Sequence, residues 1–456
     1  MPPSPSQSLK EKACDEVKPS VDAYDDADAQ IAQRLVRRLD FRLLPCLALA
    51  YILTFIDRSN AGNARVAGLS KDASLGNWGF NIGTSLYYVL YLLCEIPAVM
   101  LVKRFGNHLI PSAIIAFGII TLGTAFINTP GQFYAVKVLL GMAEAFVLPG
   151  NAYIITQFYT REEVSARIGL FIFSGGFLSG AFGGLLASGL LRLPPMGPLN
   201  TWRHIFAWEG VITMGLGAIL AVLYPSRPEK TRMLTEDERR VVLARSTAGG
   251  QADNRFPSWS QIRAVVFDPI VLVSALFYVI NNVTVTGMSV FTPTILALNY
   301  PGSSPIQIQL YAVPPNIAAW ILSLILITLA MRYKKHGPAA PLRRHSDRDW
   351  LRDVARDRRD VRAYGPIILA WTVSNARTDA ARGLSSATIS GIGALGSITG
   401  SWTYFPNDAP TGYHVGNTLN VSIASFVAVG ISSLWMYEFL ANRRAEKEGE
   451  AFRYVL

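Results

Sequence analysis

Long runs of apolar residues recur along this chain, and each has the length that a helix needs to cross a lipid bilayer. About 20 helical residues span the hydrocarbon layer, where every backbone group must be hydrogen-bonded within the protein. Ten such runs, nearly free of charged residues, lie at 43–62, 81–102, 109–127, 131–153, 168–191, 204–224, 269–297, 309–331, 384–405 and 416–440. The sequence therefore predicts an all-α polytopic membrane protein.

The composition agrees with lipid as the surrounding solvent. Only 16% of the 456 residues are charged and 50% are hydrophobic, whereas a water-soluble chain carries about 25% charged residues. The formal net charge is +10, but the basic residues lie between the apolar runs instead of forming one patch, so no nucleic-acid partner is expected. The three cysteines and five histidines show no ligand spacing, and we expect no metal and no cofactor.

Basic residues between the runs predict the orientation, because Lys and Arg are retained on the cytoplasmic side. Clusters of them lie at 34–42, 103–104, 161–167, 225–268, 332–335 and 443–444. If the spans alternate in direction, all of these clusters and both chain ends are cytoplasmic, and the plasma membrane is the expected location. The expected parts are a disordered tail and interfacial helix at 1–40, a transmembrane bundle at 41–224, a cytoplasmic connector at 225–268, a second bundle at 269–440 and a cytoplasmic tail at 441–456.

The second bundle is predicted to be incomplete at 336–366. Thirteen of the twenty residues in 343–362 are Arg or Asp, and each central charge costs about 2.5–3.5 kcal/mol to insert. The next apolar piece, 363–376, is too short for an ordinary span. We therefore expect about ten proper spans, with the ninth helix missing and the tenth shortened. A reading-frame error, an unremoved intron or a real cytoplasmic insertion would each produce such a segment.

Several short motifs lie at matching places in the apolar runs and the connector. They are YILTFIDRSNAGNA at 51–64, EIP at 95–97, KVLLGMAEAFVLPG at 137–150, WRHIFAWEG at 202–210 and LTEDER at 234–239. Together they resemble the fungal anion:cation symporter branch, or allantoate permease family, of the major facilitator superfamily. The resemblance covers about 40–335 and, more loosely, 366–440. Lys137 stands where that family more often has Arg, and 338–363 has no counterpart.

This resemblance implies a fold of two six-helix bundles that rock about a central site. It also implies a monomeric secondary transporter that imports a small organic anion, such as a carboxylate vitamin or a ureide, together with protons. Two alternatives stay open from the sequence: a non-transporting remnant or receptor-like derivative, because of the lost span, and a drug exporter of the same superfamily. An enzyme is not expected, because no nucleophile or cofactor motif accompanies the charges inside the spans.

Ionisable residues inside the apolar runs are the candidate transport residues, because a charge in the membrane is costly unless it is paired or functional. Counting along antiparallel helices places Arg58 and Lys137 at similar depth, where both could hold a substrate carboxylate. Glu144, near the middle of its run, is the first candidate for proton coupling and Asp57 is the second. The alternative for these residues is an internal ion pair, such as Asp57 with Arg58 or Lys137, that only holds helices together.

Polar residues in other runs extend the candidate site. Asn281 and Asn282 can bind substrate or pack helices, and Trp371 can stack on a substrate ring. We expect an interfacial ion pair between Glu209 and Arg203. Structural or supporting hydrogen-bonding roles are predicted for Asn60, Asn63, Glu95, Glu209 and Arg203.

Overall fold

The computed structural model describes residues 26–247, 258–334, 369, 372–373, 379–405, 408, 413–423 and 425–426. Within these residues the helices are α1 (Asp26–Val66), α2 (Leu69–Asp72), α3 (Gly79–Phe105), α4 (Leu109–Thr124), α5 (Pro130–Glu144), α6 (Val147–Phe158), α7 (Arg161–Leu190), α8 (Trp202–Leu223), α9 (Glu236–Thr247), α10 (Trp259–Val266), α11 (Pro269–Asn299), α12 (Pro305–Lys334) and α13 (Asp379–Trp402). Residues 414–423 are also helical. The predicted all-α fold is confirmed.

Five helical stretches of the described chain are long and apolar enough to cross a membrane. They are Ile31–Val66, Gly79–Phe105, Pro130–Phe158, Trp202–Leu223 and Pro269–Asn299. The shorter apolar stretches Leu109–Thr124 and Leu178–Leu190 add to them. The predicted gap at 336–366 lies outside the residues that the structure describes, and so does most of the shortened tenth helix.

Two helix boundaries differ from the sequence pattern. The interfacial helix predicted within 1–40 forms the first turns of α1, which begins at Asp26 and continues past Pro45 to Val66. The fourth apolar run is divided between α5 and α6 at Ala145 and Phe146. Pro149 explains this division, because a proline inside a helix clashes with the carbonyl four residues earlier and lacks the N–H that would bond it.

The first half of the chain packs as one bundle, in which α1 contacts α7 and α8, α4 contacts α8, and α3 contacts α5. In the second half, α11 packs along α13. The halves meet where α7 contacts α12, α3 contacts α13 and α1 contacts α11. A central site between the halves is therefore bounded by α1, α3 and α7 on one side and by α11, α12 and α13 on the other.

Glycines allow the closest approach between α11 and α13. A Cβ atom at Gly396 would lie 1.9 Å from the carbonyl oxygen of Val279, and one at Gly400 would lie 2.5 Å from that of Val283. Only a residue without a side chain fits at such distances. Small residues are the usual means of bringing membrane helices together.

The connector packs against one end of the molecule, which we call the connector side. Arg38 on α1 pairs with Glu238 on α9 at 2.9 Å, and Arg245 on α9 pairs with Glu163 on α7 at 2.6 Å. Partial burial alone would raise the pKa of Glu238, but the backbone N–H of Thr235 and the Arg38 guanidinium hold that pKa below its ordinary value. Charge pairs thus fasten α9 to the first bundle.

At the opposite end, which we call the far side, aromatic contacts join the two halves. Trp78 stacks on Trp402 with ring centroids 5.5 Å apart, and Trp402 Nε1 donates to Ser85 Oγ at 2.8 Å. Asn81 Nδ2 donates to the Ser401 carbonyl at 2.5 Å. In this structure α3 and α13 are therefore held together on the far side.

Candidate functional site

Two adjoining cavities lie between the halves. The amide cavity, of about 100 Å³, is lined by residues of α1, α7, α11 and α12, including Asn63, Asn281, Asn282 and Asn316. The arginine cavity, of about 40 Å³, is lined by residues of α1, α3, α6, α11 and α13, including Arg58. Tyr51, Phe55, Tyr278, Asn282, Val285 and Ser289 line both cavities. One small ligand can therefore contact both sets of residues.

Among the described residues, Arg58 is the cation on the cavity wall. Its Nε donates to Tyr87 Oη at 2.9 Å and to Glu144 Oε2 at 3.2 Å. Its guanidinium carbon lies 5.1 Å from the ring centroids of Phe55 and Tyr91 and 5.5 Å from that of Tyr87. Ring faces attract a cation without neutralising it. The guanidinium is thus held in place while it keeps capacity for an anionic ligand.

Glu144 is the carboxyl group that meets this cation. Its side chain is fully buried, whereas that of Arg58 is 16% exposed. Tyr87 Oη donates to Glu144 Oε2 at 2.6 Å, and Oε1 has no hydrogen-bond partner among the described residues. Glu144 and Arg58 thus form an ion pair at the edge of a cavity. The predicted pair of Asp57 with Arg58 or Lys137 is not found among the described residues, where Asp57 accepts from Thr121 instead.

Asp57 and Glu209 form a second acidic group inside the first bundle. Thr121 donates to Asp57 Oδ1 at 2.9 Å, and Asn60 Nδ2 donates to Glu209 Oε2 at 2.9 Å. Asn63 Nδ2 in turn donates to Asn60 Oδ1 at 2.9 Å. Asp57 Oδ2 and Glu209 Oε1 are buried without a hydrogen-bond partner in the described part of the chain. Each carboxyl group is therefore only half satisfied.

The predicted pair between Glu209 and Arg203 is wrong. Arg203 donates through Nη1 to the carbonyls of Ala125 and Ile127, at 2.8 and 2.9 Å, and through Nη2 to Asn128 Oδ1 at 2.8 Å. At about 100° per residue, positions six apart on a helix point to different faces. Arg203 therefore caps the end of α4, while Glu209 faces the interior of the bundle.

Lys137 is buried in the same interior, with an exposed fraction of 4%. Its Nζ lies 5.9 Å from the ring centroid of Phe133, and both Glu144 and Glu209 lie within electrostatic range of it. Among the described residues it is in no ion pair within 4 Å. The structure brings Arg58 to the cavity wall and leaves Lys137 among the acidic residues behind it.

Glu95 links the two halves near the arginine cavity. The hydroxyl of Ser390 on α13 donates to Glu95 Oε1 on α3 at 2.6 Å. The Glu95 side chain is fully buried, and Oε2 has no hydrogen-bond partner within the described ranges. The predicted supporting role is compatible with this contact, whose partner on α13 was not foreseen.

The two predicted amides of α11 both reach the cavities. Asn281 lines the amide cavity, and its Oδ1 is buried without a partner in the described residues. Asn282 lines both cavities and donates through Nδ2 to the Gly393 carbonyl at 3.1 Å. Trp371 lies outside the described residues.

The tyrosines around Arg58 were missed from the sequence. Tyr87 and Tyr91 are four residues apart on α3, so they share one helix face, and both contact Arg58. Tyr278 joins them from α11. The signal in the sequence is the spacing of four residues between Tyr87 and Tyr91 in the second apolar run.

The family profile described as the Major Facilitator Superfamily matches residues 47–343. The chain belongs to the major facilitator superfamily. This membership makes it an integral membrane protein and a secondary transporter, as the sequence predicted.

Curated relatives are also named as transporters. The chain is 28% identical to the MFS transporter prlL of a fungal species, over 93% of this chain and 90% of that protein. It is 33% identical to an uncharacterized transporter of Schizosaccharomyces pombe, over 68% of this chain and 61% of the relative. It is 30% identical to the high-affinity nicotinic acid transporter of Saccharomyces cerevisiae, over 67% of this chain and 57% of that protein. In the last two cases the match spans less than two thirds of the relative.

Solved structures show the same fold. The proton:xylose symporter XylE matches with a TM-score of 0.58 and 13% identity, over 86% of this chain and 95% of that one. The human organic anion transporter MFSD10 matches with a TM-score of 0.51 and 13% identity, over 85% and 98%. The predicted major facilitator fold is therefore confirmed.

Proposed function

We propose that this superfamily member imports a small organic anion together with protons, as the allantoate permease branch does. The observation that carries the proposal is the contact between Arg58 and the fully buried Glu144 at the edge of a central cavity. A substrate carboxylate bound to Arg58 would compete with Glu144 for the same guanidinium. Protonation of Glu144 removes that competition, so a proton and an anion favour each other's binding.

Charge balance in the first bundle supports the uptake of a proton. Four buried carboxyl groups, those of Asp57, Glu95, Glu144 and Glu209, lie around two cations, Arg58 and Lys137. Negative charges outnumber positive ones in this group, and an unbalanced charge inside a membrane protein is costly. Protonation of one of these carboxyl groups reduces the imbalance. We therefore add Glu209 to the proposed proton-coupling residues Glu144 and Asp57, with Lys137 as the counter-charge among them.

The wider proposal concerns the transport cycle. The bundles at 41–224 and 269–440 alternate access about the cavities, with the connector at 225–268 and both chain ends in the cytoplasm of a monomer in the plasma membrane. Because α3 and α13 are joined on the far side, exchange of substrate on that side requires these contacts to open. The relative named as a nicotinic acid transporter supports a carboxylate substrate.

The proposal is tested by uptake into proteoliposomes that contain the full chain. A labelled carboxylate such as nicotinate should accumulate when the interior is made alkaline, and Arg58→Gln should reduce this uptake by at least about tenfold, because a charge-assisted contact is lost. Glu229→Gln, at an exposed position of the connector, serves as the control. Carboxylate uptake that changes neither with the proton gradient nor with the Arg58 substitution would contradict the proposal.

A second candidate function has its own motivation. The Arg- and Asp-rich segment 343–362 stands where a ninth span belongs, and a chain without that span can bind a ligand without carrying it. Carboxylate binding to the purified protein without any flux in liposomes would favour this receptor-like function. Gradient-driven export of apolar cations would instead favour a drug exporter.

A further inference from the structure

Glu95 on α3 and Ser390 on α13 form a buried polar contact between the two halves of the molecule. Glu95 follows Asn81 on the same helix. At 1.5 Å per residue, its contact lies roughly 21 Å nearer the connector side than the bond from Asn81 to the Ser401 carbonyl. Rocking of the bundles that opens the connector side therefore has to part α3 and α13 at Glu95.

The hydrogen bonds at this contact lack one proton when Glu95 is ionised. Ser390 Oγ lies 2.6 Å from Glu95 Oε1 and 2.8 Å from the Ser386 carbonyl oxygen. A hydroxyl has one proton to donate, whereas a carboxylate and a carbonyl only accept. A protonated carboxyl group can donate to Ser390 Oγ, which then donates to Ser386. The acid form of Glu95 thus makes both bonds at once, and the carboxylate does not.

The immediate surroundings of Glu95 also disfavour a negative charge. Its side chain is 0% exposed, and Ser390 is 3% exposed. Oε2 faces the backbone of α13, where a Cβ atom at Gly391 would lie 3.0 Å away, and it has no hydrogen-bond partner among the described residues. One neutral hydroxyl does not compensate for the burial of a carboxylate. The contact is therefore built for the acid.

Tyrosine hydroxyls and one arginine face Glu95 from the neighbouring helices. The groups that act on it electrostatically are Tyr51 and Arg58 of α1, Tyr91 of α3 and Tyr278 of α11. From α5, Glu144 contacts α3 two turns earlier at Tyr87, and from α6, Tyr153 lies one turn later beside Gly383 of α13. The guanidinium of Arg58 already pairs with Glu144 at 3.2 Å. In the described part of the chain, the cation that acts on Glu95 thus serves another carboxylate.

We propose that Glu95 and Ser390 form a proton-dependent latch between the halves. The carboxylic acid of Glu95 holds α3 to α13, and transfer of its proton to water that enters from the connector side releases the two helices there. This inference rests on the proposed function, because it gives the imported proton a point of release. Since the closed form binds the proton more tightly than the open form, opening on the connector side and release of the proton favour each other.

Spin-labelled protein tests the latch without any substrate. Labels on Phe105→Cys, at the connector-side end of α3, and on Phe267→Cys, just before α11, report the distance between the halves, and both positions are exposed. The full chain, with its three native cysteines replaced by serine, is measured in lipid nanodiscs by double electron–electron resonance between about pH 5.5 and 8.5. The ratio of open to closed molecules should rise with pH, by up to about tenfold per pH unit, because one proton is released.

Three variants assign this response to the latch. Glu95→Gln keeps a donor for Ser390 Oγ but has no proton to lose, so its halves should stay closed on the connector side at every pH. Ser390→Ala removes the acceptor and should raise the open-to-closed ratio at low pH by about tenfold. It carries the test if Glu95→Gln does not fold. Glu229→Gln, at an exposed position of the connector, should follow the wild type.

The outcomes separate the latch from the proposed import. A distance that does not change with pH in the wild type overturns the latch. It is also overturned by a pH response in Glu95→Gln equal to that of the wild type, as a purely structural hydrogen bond would give, or by wild-type ratios in Ser390→Ala. Because no carboxylate is present, these results leave the anion site at Arg58 untouched. The predicted distances in a protein that takes up no carboxylate would instead contradict the import and support the latch.

Discussion

At the scale of single residues, the site depends on which carboxyl group meets which cation. The sequence placed Arg58, Glu144, Asp57 and Lys137 inside the membrane because their charge interrupts apolar runs, and all four are buried or nearly so. It could not fix their pairing, because that depends on how antiparallel helices rotate against each other. Arg58 meets Glu144 instead of standing beside Lys137.

The first prediction concerns Glu144→Gln. Because glutamine has no charge, it imitates the protonated carboxyl and leaves Arg58 free at every pH. Carboxylate affinity should then equal that of the wild type at low pH and lose its pH dependence, while exchange of labelled for unlabelled substrate continues without gradient-driven accumulation. Equilibrium binding between pH 5 and 8, with exchange assays in liposomes, checks this. If carboxylate affinity depends on pH in Glu144→Gln as it does in the wild type, the coupled proton binds to a group other than Glu144.

The second prediction concerns the corrected partners of Arg203 and Glu209. Arg203→Ala removes three hydrogen bonds at the end of α4 and should lower the free energy of unfolding by about 1–3 kcal/mol. Glu209 bonds to Asn60 instead. The change in the free energy of unfolding caused by Glu209→Gln should therefore add to that of Arg203→Ala, with a coupling energy below about 0.5 kcal/mol in a double-mutant cycle. Thermal unfolding in detergent provides the measurement. A coupling energy several times larger would contradict these partners and support an ion pair between Arg203 and Glu209.

At the scale of helices, length and polarity were enough to locate the spans, because lipid leaves the backbone few alternatives. Boundaries were less predictable. The predicted interfacial helix is continuous with the first membrane span in α1, because the helix runs without a break from Asp26 to Val66. The break between α5 and α6 is caused locally by Pro149. The apolar pattern does not predict this break, because proline does not interrupt the run of apolar residues.

The third prediction concerns the contact of α11 with α13. Gly396→Ala places a methyl group where the Val279 carbonyl lies 1.9 Å away, so it should destabilise the protein by about 1–3 kcal/mol. Gly215→Ala is the matched control: it is a helical glycine with no atom within 4 Å of its added Cβ. Higher helix propensity should make it neutral or stabilising by about 0.5–1 kcal/mol. Equal melting temperatures for the two variants would contradict the close packing.

The fourth prediction concerns the connector. The pKa of Glu238 is lower in the folded protein, so its pairing with Arg38 contributes above the unfolded pKa of about 4.3 and is lost as pH falls through the folded pKa. Limited proteolysis of the connector should accelerate as the pH approaches 4. The connector of Glu238→Gln should already be cleaved fast at pH 7, and its cleavage rate should change less as the pH falls. Glu229→Gln should be cleaved at the same rate as the wild type at each pH. Cleavage that is independent of pH in the wild type would contradict this role.

At the scale of the whole molecule, the spans, the basic connector and the motifs predicted a major facilitator fold, and the family match and the solved structures confirm that fold. The contents of the central cavities did not follow, because α1, α3, α7, α11, α12 and α13 each contribute a few residues from distant parts of the chain. Asn316 and Ser390 reach the site only through the packing of the halves.

The most direct test of proton-coupled anion binding is the number of protons taken up when a carboxylate binds. Calorimetric titration of the purified full chain with nicotinate, in buffers of different ionisation enthalpy at neutral pH, measures that number. Competition between Glu144 and the substrate for Arg58 predicts a net uptake that approaches one proton per anion in the wild type and falls to near zero in Glu144→Gln. Tight carboxylate binding with no proton uptake in the wild type would contradict the account.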